Sequence, residues 1–269
     1  MLVATDFSEV ATHAIRYACE LAAVYNFSIH LVHAQMVPVT FGDAPVPILP
    51  MGEMQQAADA QMQELVAGLR RNFPGLDISG ECYLGEVIDV LTDCCTEMLP
   101  LLAVLGNSGS ADEGAWLGSA VLNGVRRLPC PVLAVPENYA FRQIQTICLA
   151  CDKEDLAGGL QIGSLLALQR KLNASLQLVT VREPGSEAIN IEESELKRTL
   201  GSQLFSLQEL EAADVSEAVH AAAREMNADW LAVVPHRYGF FTSLFHKSQT
   251  KAILHQSLLP VLALHAVEN

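Results

Sequence analysis

The chain has 269 residues, of which 51% are hydrophobic, and its 31 acidic and 16 basic residues give a net charge of −15. This length suffices for one large domain or for two domains of about 130 residues. The acidic balance disfavours non-specific binding to nucleic acids and anionic membranes, whose phosphates attract clustered lysine and arginine. No apolar run reaches the roughly 18 residues that indicate a membrane span.

The first half of the chain alternates short apolar runs with longer helical patterns. The predicted strands are Leu2–Thr5, Ser28–His33, Asp77–Tyr83, Leu101–Leu105 and Val132–Val135, and the predicted helices are Glu9–Tyr25, Met54–Arg71, Val87–Met98 and Ala120–Arg127. Ser8 is placed to cap the start of the first helix. Continuous apolar strands that alternate with helices indicate a parallel sheet covered by helices on both faces.

The segment Val37–Met51 contains four prolines and is predicted to be a loop. It follows the second strand, at the edge of the sheet where α/β proteins bind ligands. A lid over a ligand site and a plain surface loop are both compatible with this position.

The second half repeats the pattern of the first. Leu102–Asn107 is matched by Leu231–His236, 129 positions later, and Pro131–Val135 is matched at the same offset by Pro260–Leu264. Several matches in one order indicate an internal duplication. The strands of the second half are predicted near Ile147–Cys151, Leu176–Val181, Phe205–Glu209, Trp230–Val234 and Val261–Leu264. We therefore predict two domains, residues 1–138 and 143–269.

Several residues of the first half are expected to meet at one edge of its sheet. Ligands of doubly wound sheets sit beyond the carboxyl ends of the strands, where the strand order reverses. Asp6 ends the first strand, Ala34 ends the second, Gly106–Gly109 follow the fourth, and Gly118 and Ser119 open the next helix. Glycines let the backbone approach a phosphate closely, and a helix start offers free N–H groups.

These residues resemble the universal stress protein family over nearly the whole chain. Leu2–Ser8 is similar to the opening strand and turn of the family, Gly85 to the glycine after its third strand, and Gly106–Ser119 followed by Pro131–Leu133 to its G-x-x-G…G-[ST] signature. The resemblance implies two Rossmann-like α/β domains of the adenine-nucleotide alpha hydrolase type. Each would hold a five-stranded parallel sheet, and the two would pack as a pseudo-dimer. By analogy with dimers of the family, Pro131–Val135 and Pro260–Leu264 are the strands expected to pair.

The resemblance also implies a ligand, ATP or AMP, with Mg²⁺ if a triphosphate is bound. Matching positions assign the contacts to Asp6, Ala34, Gly106, Asn107, Gly109, Gly118 and Ser119. A sheet edge left open would be covered by the other half or by a second copy of the chain, so a homodimer is the other expected assembly. An unidentified protein partner is expected as well.

The loop of the first half departs from the family pattern. Only eight residues separate Gly109 from Gly118, one fewer than in the family, and the loop carries Asp112 and Glu113 but no lysine or arginine. Like charges about 4 Å apart repel by roughly 4 kcal/mol, whereas an exposed helix start attracts an anion by about 1 kcal/mol. Binding is lost if both acids face the phosphates without a divalent metal, and it survives if they point outward.

The second half has lost the glycine pattern. Pro235 aligns with Gly106, Tyr238 with Gly109, Lys247 with Gly118, and Ser248 with Ser119. Proline removes an N–H, and tyrosine blocks a close approach of the backbone, so no phosphate nest is expected here. The side chains of His236, Arg237, His246 and Lys247 could bind an anion, or they are solvated loop residues and contacts with the first half.

The seven cysteines are odd in number and have no regular spacing, which indicates a reducing compartment and predicts a cytoplasmic location. Cys148 and Cys151 have the spacing of redox and metal sites, but residues three apart on a strand point to opposite faces. Cys94 and Cys95 lie in a helical pattern and are expected to pack in the core.

No residues with a catalytic pattern stand out. His30 and His33 lie on the second strand without a carboxylate or cysteine at ligand spacing, so no metal site is expected. The sequence has no G-x-S-x-G elbow, no P-loop with its lysine and no pyrophosphatase loop. The resemblance implies a stress-responsive, nucleotide-binding regulator, and the lack of a catalytic pattern disfavours an enzyme. The alternative is a nucleotide-free module of the same fold that binds other proteins.

Overall fold

The computed structural model describes residues 1–36, 51–108, 116–151, 163–182, 184–185, 205–234 and 247–264. Its strands are β1 (Leu2–Ala4), β2 (Ile29–Gln35), β3 (Ile78–Leu84), β4 (Ala103–Asn107), β5 (Val132–Pro136), β6 (Thr146–Ala150), β7 (Ser175–Arg182), β8 (Phe205–Glu211), β9 (Trp230–Val233) and β10 (Val261–Ala263). Its helices are α1 (Glu9–Tyr25), α2 (Met51–Asn72), α3 (Val87–Met98), α4 (Trp116–Arg127), α5 (Gly163–Leu172), α6 (Val215–Glu225) and α7 (Lys247–Gln256). None of these helices is long and apolar enough to cross a membrane.

The strands form one ten-stranded sheet in the order β3-β2-β1-β4-β5-β10-β9-β6-β7-β8. All neighbours are parallel except β5 and β10, which are antiparallel. Read outward from that pair, the two halves have the same strand order, so the duplication inferred from the sequence is confirmed in the fold. The predicted pairing strands are the ones that join the halves, with Leu133 opposite Leu262.

Helices cover both faces of the sheet because consecutive strand residues alternate between the faces. Val3 packs with α1, α2 and α5 on one face, whereas Leu2 and Ala4 pack with α3, α4, α6 and α7 on the other. Each face therefore carries one apolar cluster that runs through both halves, as expected for a parallel sheet buried on both sides.

Polar contacts reinforce the junction of the halves. Trp230 at the start of β9 donates its indole N–H to the hydroxyl of Tyr17 in α1 at 2.7 Å, and both side chains are fully buried. The hydroxyl of Tyr25, at the end of α1, donates to the carbonyl of Ile144 and accepts from its N–H. Helix α1 of the first half thus contacts both the linker and the second half.

Several element boundaries differ from the predicted ones, and three of the differences bear on the loops of the first half. Strand β4 continues through Gly106 and Asn107, because these residues pair with Val135 and Pro136 of β5. Helix α4 begins at Trp116 instead of Ala120, and α2 begins at Met51 instead of Met54. The remainder of the predicted proline-rich loop, residues 37–50, lies outside the described residues.

Candidate functional site

A crevice is expected where β1 and β4 lie side by side. Strand β2 adjoins β1 on one side and β4 adjoins it on the other, so the order of the strands reverses at this point. The helices that follow the two strands pack on opposite faces, α1 on one and α4 on the other. In doubly wound sheets this arrangement leaves room for a cleft at the carboxyl ends of the two strands, where ligands bind.

The turn after β1 lies at one side of the expected crevice, called its first lip below. The Thr5 hydroxyl accepts from the Phe7 N–H at 3.0 Å, the Asp6 Oδ1 accepts from the Ser8 N–H at 3.0 Å, and the Ser8 hydroxyl accepts from the Ala11 N–H at 3.2 Å. Ser8 thus caps α1, as predicted. Asp6 stabilises the turn through one carboxylate oxygen, and its Oδ2 has no hydrogen-bond partner in the described part of the chain.

The same turn holds Phe7 in a left-handed conformation with φ of 62°. Such a conformation costs roughly 1 kcal/mol for a residue with a Cβ, and residues of this kind cluster at functional sites. The Phe7 ring lies 4.5 Å from the His33 ring, and the His33 Nδ1–H donates to the Thr5 carbonyl at 2.8 Å. His33 therefore fixes the turn against β2, a role that the sequence did not reveal.

Ala34 lies next to the end of β2, opposite Tyr83 of β3. Its methyl group is buried in the apolar cluster that includes α3, so only the backbone of Ala34 can meet a ligand at this edge. One residue further on, the Gln35 carbonyl accepts from the N–H of Gly85, whose φ of 151° suits glycine. Glu86 then caps α3 by accepting from two backbone N–H groups.

Gly106 is buried where β4 passes α1. A Cβ at this position would lie 2.8 Å from the carbonyl oxygen of Val10 and 2.9 Å from its Cγ1. Glycine is therefore needed for the packing of β4 against α1. Sequence reasoning explained this glycine by contact with a phosphate and missed Val10, because no local pattern indicates that α1 lies over β4.

Asn107 connects the candidate site to the second half. Its side chain is 6% exposed, and its Nδ2 donates to the carbonyl of Leu254 in α7 at 2.7 Å. The predicted ligand residue Asn107 thus makes a buried contact between the repeats, and Leu254 could not have been identified as its partner from spacing.

Gly118 and Ser119 lie in the first turn of α4, two and three residues after its start. The first four N–H groups of a helix have no intrahelical partner, so these amides are available to an anion at the opposite lip of the crevice. Gly109, Asp112 and Glu113 lie outside the described residues. Of the second-half residues considered above, Pro235, His236, Arg237, Tyr238 and His246 also lie outside the described residues, whereas Lys247 and Ser248 begin α7.

The paired cysteines and His30 are buried. Cys148 and Cys151 belong to the clusters on opposite faces of the sheet, and Cys94 and Cys95 are buried residues of α3, as predicted. Burial lowers the pKa of His30, whose Nδ1 lies 2.8 Å from the Ser79 hydroxyl. Among the described residues no three histidine, cysteine or acidic side chains are grouped so that they could hold a metal ion.

Comparison with known proteins agrees with this architecture. The family model of the universal stress proteins matches residues 1–136. A universal stress protein from Archaeoglobus fulgidus has 16% identity and a TM-score of 0.68, with 97% of this chain and 94% of that chain covered. A functionally unknown protein from Pseudomonas aeruginosa PAO1 has 16% identity and a TM-score of 0.59, with 98% and 91% covered. Both alignments extend over the two halves.

A third solved structure is a universal stress protein in complex with cAMP. It has 25% identity and a TM-score of 0.40, and it covers 51% of this chain and 95% of its own. No curated protein sequence matches this chain.

Proposed function

Because the chain belongs to the universal stress protein family, we propose that its first repeat binds an adenine nucleotide, ATP or AMP, as a regulatory ligand. The observation that supports this proposal is the reversal of strand order between β1 and β4, because doubly wound sheets bind ligands beyond the carboxyl ends of the strands at such a point. The family match supports the nucleotide as ligand, because it covers the strands and helices that form this crevice.

The two lips of the crevice suit the two ends of a nucleotide. On one lip, the Asp6 Oδ2 can accept a hydrogen bond from a ribose hydroxyl, and the backbone near Ala34 can contact the base. On the other lip, the first-turn amides of α4, including those of Gly118 and Ser119, can bind phosphate oxygens. An exposed helix start contributes about 1 kcal/mol to such binding. The proposed nucleotide contacts also include Gly106, Asn107 and Gly109.

The residues around the proposed phosphate contacts favour a ligand of moderate negative charge. Asp112 and Glu113 precede α4, and the neighbouring loop residues include no lysine or arginine. Mg²⁺ would offset part of the charge of a triphosphate, whereas AMP needs less compensation. We therefore expect AMP or Mg²⁺-bound ATP to bind more tightly than ATP without metal.

A second candidate function is a nucleotide-free module that binds other proteins. The observation that favours it is that two predicted ligand residues have structural roles. Gly106 is required by its contact with Val10, and the Asn107 amide is engaged by Leu254. Neither residue therefore demands a nucleotide as an explanation.

A thermal unfolding titration of the full chain distinguishes the two candidates. A ligand at 100 times its Kd stabilises a fold by roughly 2.7 kcal/mol, which raises the Tm of a chain of this size by about 5 °C or more. We expect this shift with AMP and with ATP plus Mg²⁺. Gly109→Trp should abolish it by filling the phosphate side of the crevice.

Tyr238→Trp is the matched control, because it places the same side chain at the aligned position of the second repeat. The shift should persist in this variant. An unchanged Tm of the wild-type protein at millimolar AMP and ATP, with and without Mg²⁺, contradicts nucleotide binding and favours the second candidate. Sustained phosphate release at about one turnover per second or faster would contradict a purely regulatory role.

The remaining parts of the proposal concern organisation and location. We propose domain limits of 1–138 and 143–269, on the sequence repeat and the position of the linker between β5 and β6. We also propose a cytoplasmic location, because the seven cysteines lack the spacing of a disulfide framework. The homodimer and an unidentified protein partner stay predictions.

A further inference from the structure

Two of the seven cysteines lie in direct contact. The Sγ of Cys95 in α3 is 3.3 Å from the Sγ of Cys130, which lies between α4 and β5. Both thiols are free, and one donates a hydrogen bond to the other. Cys19 and Cys148 are also buried, but no second thiol lies within hydrogen-bond distance of either in the described part of the chain, which includes all the cysteines.

Cys130 differs in its pKa from the isolated buried thiols and from Cys95, whose pKa is raised by its hydrogen bond to Cys130 and by burial. Burial raises the pKa of Cys19 and of Cys148 to about 12, so these groups stay protonated. The hydrogen bond from the Cys95 thiol instead lowers the pKa of Cys130, against the effect of burial. Cys130 also retains 7% exposure, compared with 1% for Cys95, so Cys130 is the thiol that a small reagent reaches first.

We propose that Cys95 and Cys130 are a modification site at which a peroxide forms a reversible disulfide between α3 and the start of β5. A disulfide bond is about 2.05 Å long, so the sulfurs have to approach each other by roughly 1 Å. Each sulfur lies at the end of a rotatable side chain, and the distance can close without separating the elements that carry them.

The chemistry has two steps. The Cys130 thiolate attacks one oxygen of hydrogen peroxide, the O–O bond breaks, hydroxide leaves, and Cys130 becomes a sulfenic acid. The Cys95 sulfur then attacks the Cys130 sulfur, the S–O bond breaks, and the oxygen leaves as water with the Cys95 proton. In total, two thiols and one hydrogen peroxide give one disulfide and two waters, and a dithiol reductant restores both thiols.

The disulfide would close a loop that contains α4, whose first turn is expected on the phosphate side of the candidate crevice. Residues 95–130 contain β4 and α4, so the disulfide would fasten α3 to the strand that follows α4. Closing a loop of this length reduces the freedom of the unfolded chain, and the oxidised protein should therefore unfold at a higher urea concentration than the reduced protein. The proposal does not depend on whether the crevice binds a nucleotide.

The test starts with the reduced full chain and hydrogen peroxide as the only oxidant. After the reaction is quenched, titration of thiols in denaturant should count two fewer than the seven of the reduced protein. The intact mass should fall by about 2 Da through the loss of two hydrogens, and dithiothreitol should reverse both changes.

Peptide mapping of the oxidised wild-type protein locates the bond. Trypsin releases Leu128–Arg142, whose single cysteine is Cys130, and Asn72–Arg126, which contains Cys82, Cys94 and Cys95. We expect these two peptides to be linked, and fragmentation should place the bond at Cys95. The Cys130→Ser variant should lose the mass change, whereas the matched control Cys94→Ser, one residue away in the same helix, should keep it.

Three results overturn the proposal: all seven thiols survive the treatment, the linked peptides contain a different pair, or the mass rises by oxygen addition without a disulfide. Because the mapping uses the wild-type protein, it stays decisive even if Cys130→Ser fails to fold.

Discussion

Asp229 offers a sharp test of how the linker is held to the second half. This residue precedes β9 and is 5% exposed. Its Oδ2 accepts from the backbone N–H of Gln145 at 2.7 Å and of Thr146 at 3.0 Å, and its Oδ1 lies 2.7 Å from the Arg142 Nε. One carboxylate thus binds the end of the linker, the start of β6 and an arginine.

The backbone hydrogen bonds and the ion pair are expected to contribute different amounts to the free energy of unfolding. A hydrogen bond to a charged group contributes about 1.5–3 kcal/mol to stability, and Asp229→Ala removes two such bonds from backbone N–H groups. Gln145 is exposed, so water can replace part of this loss, and we expect a decrease in the free energy of unfolding of about 2–4 kcal/mol. The Arg142 side chain is 53% exposed, so Arg142→Ala should cost only about 1 kcal/mol.

Urea unfolding followed by tryptophan fluorescence measures both free energies, because Trp230 is buried beside Asp229. The reasoning requires Asp229→Ala to be clearly more destabilising than Arg142→Ala. Equal losses in the two variants would show that the ion pair, rather than the backbone hydrogen bonds, gives Asp229 its role. A loss below about 1 kcal/mol for Asp229→Ala would show that water replaces the carboxylate at little cost.

Three other changes test separate parts of the structure. Gly106→Ala places a Cβ 2.8 Å from the Val10 carbonyl, so urea unfolding should show a loss of about 1–3 kcal/mol. Tyr17→Phe removes the hydroxyl that accepts from the Trp230 indole, and calorimetry should show a comparable loss because a buried N–H stays unpaired. Burial lowers the pKa of His220 below 6.5, so wild-type stability should be full above pH 6.5 and fall as the pH drops toward the folded-state pKa. Between pH 7.5 and pH 5, the Tm of His220→Leu should therefore change less than the Tm of the wild-type protein. An identical pH dependence of the two Tm values would contradict this assignment.

The sequence was sufficient to predict the fold because the repeat and the apolar strands are local signals. The element boundaries that it missed depend on partners elsewhere in the chain. Gly106 belongs to β4 because it pairs with Val135, and no pattern within the predicted loop contains that information. Tertiary pairing thus extended the strand into the segment in which a loop was predicted.

The candidate site likewise combines local contacts, which the sequence predicts, with contacts between distant parts of the chain, which it does not. Asp6 and Ser8 form a turn whose hydrogen bonds span two and three residues, so their positions follow from local sequence. Asn107 contacts Leu254 across 147 residues, and Cys95 contacts Cys130 across 35. Contacts of this kind depend on which helix covers which strand, and spacing alone does not specify them.

The second repeat keeps its fold although it has lost the glycine pattern, and the structure gives a physical reason. Strand β10 pairs with β5 from Val261 to Ala263 and thereby covers an edge that would otherwise be open to other chains. Leu254 in α7 accepts the buried amide of Asn107 and leaves that polar group satisfied. Neither role uses the positions that align with Gly106, Gly109 and Gly118 of the first repeat. Substitutions such as proline at 235 could therefore accumulate without loss of the contacts by which the second repeat supports the first.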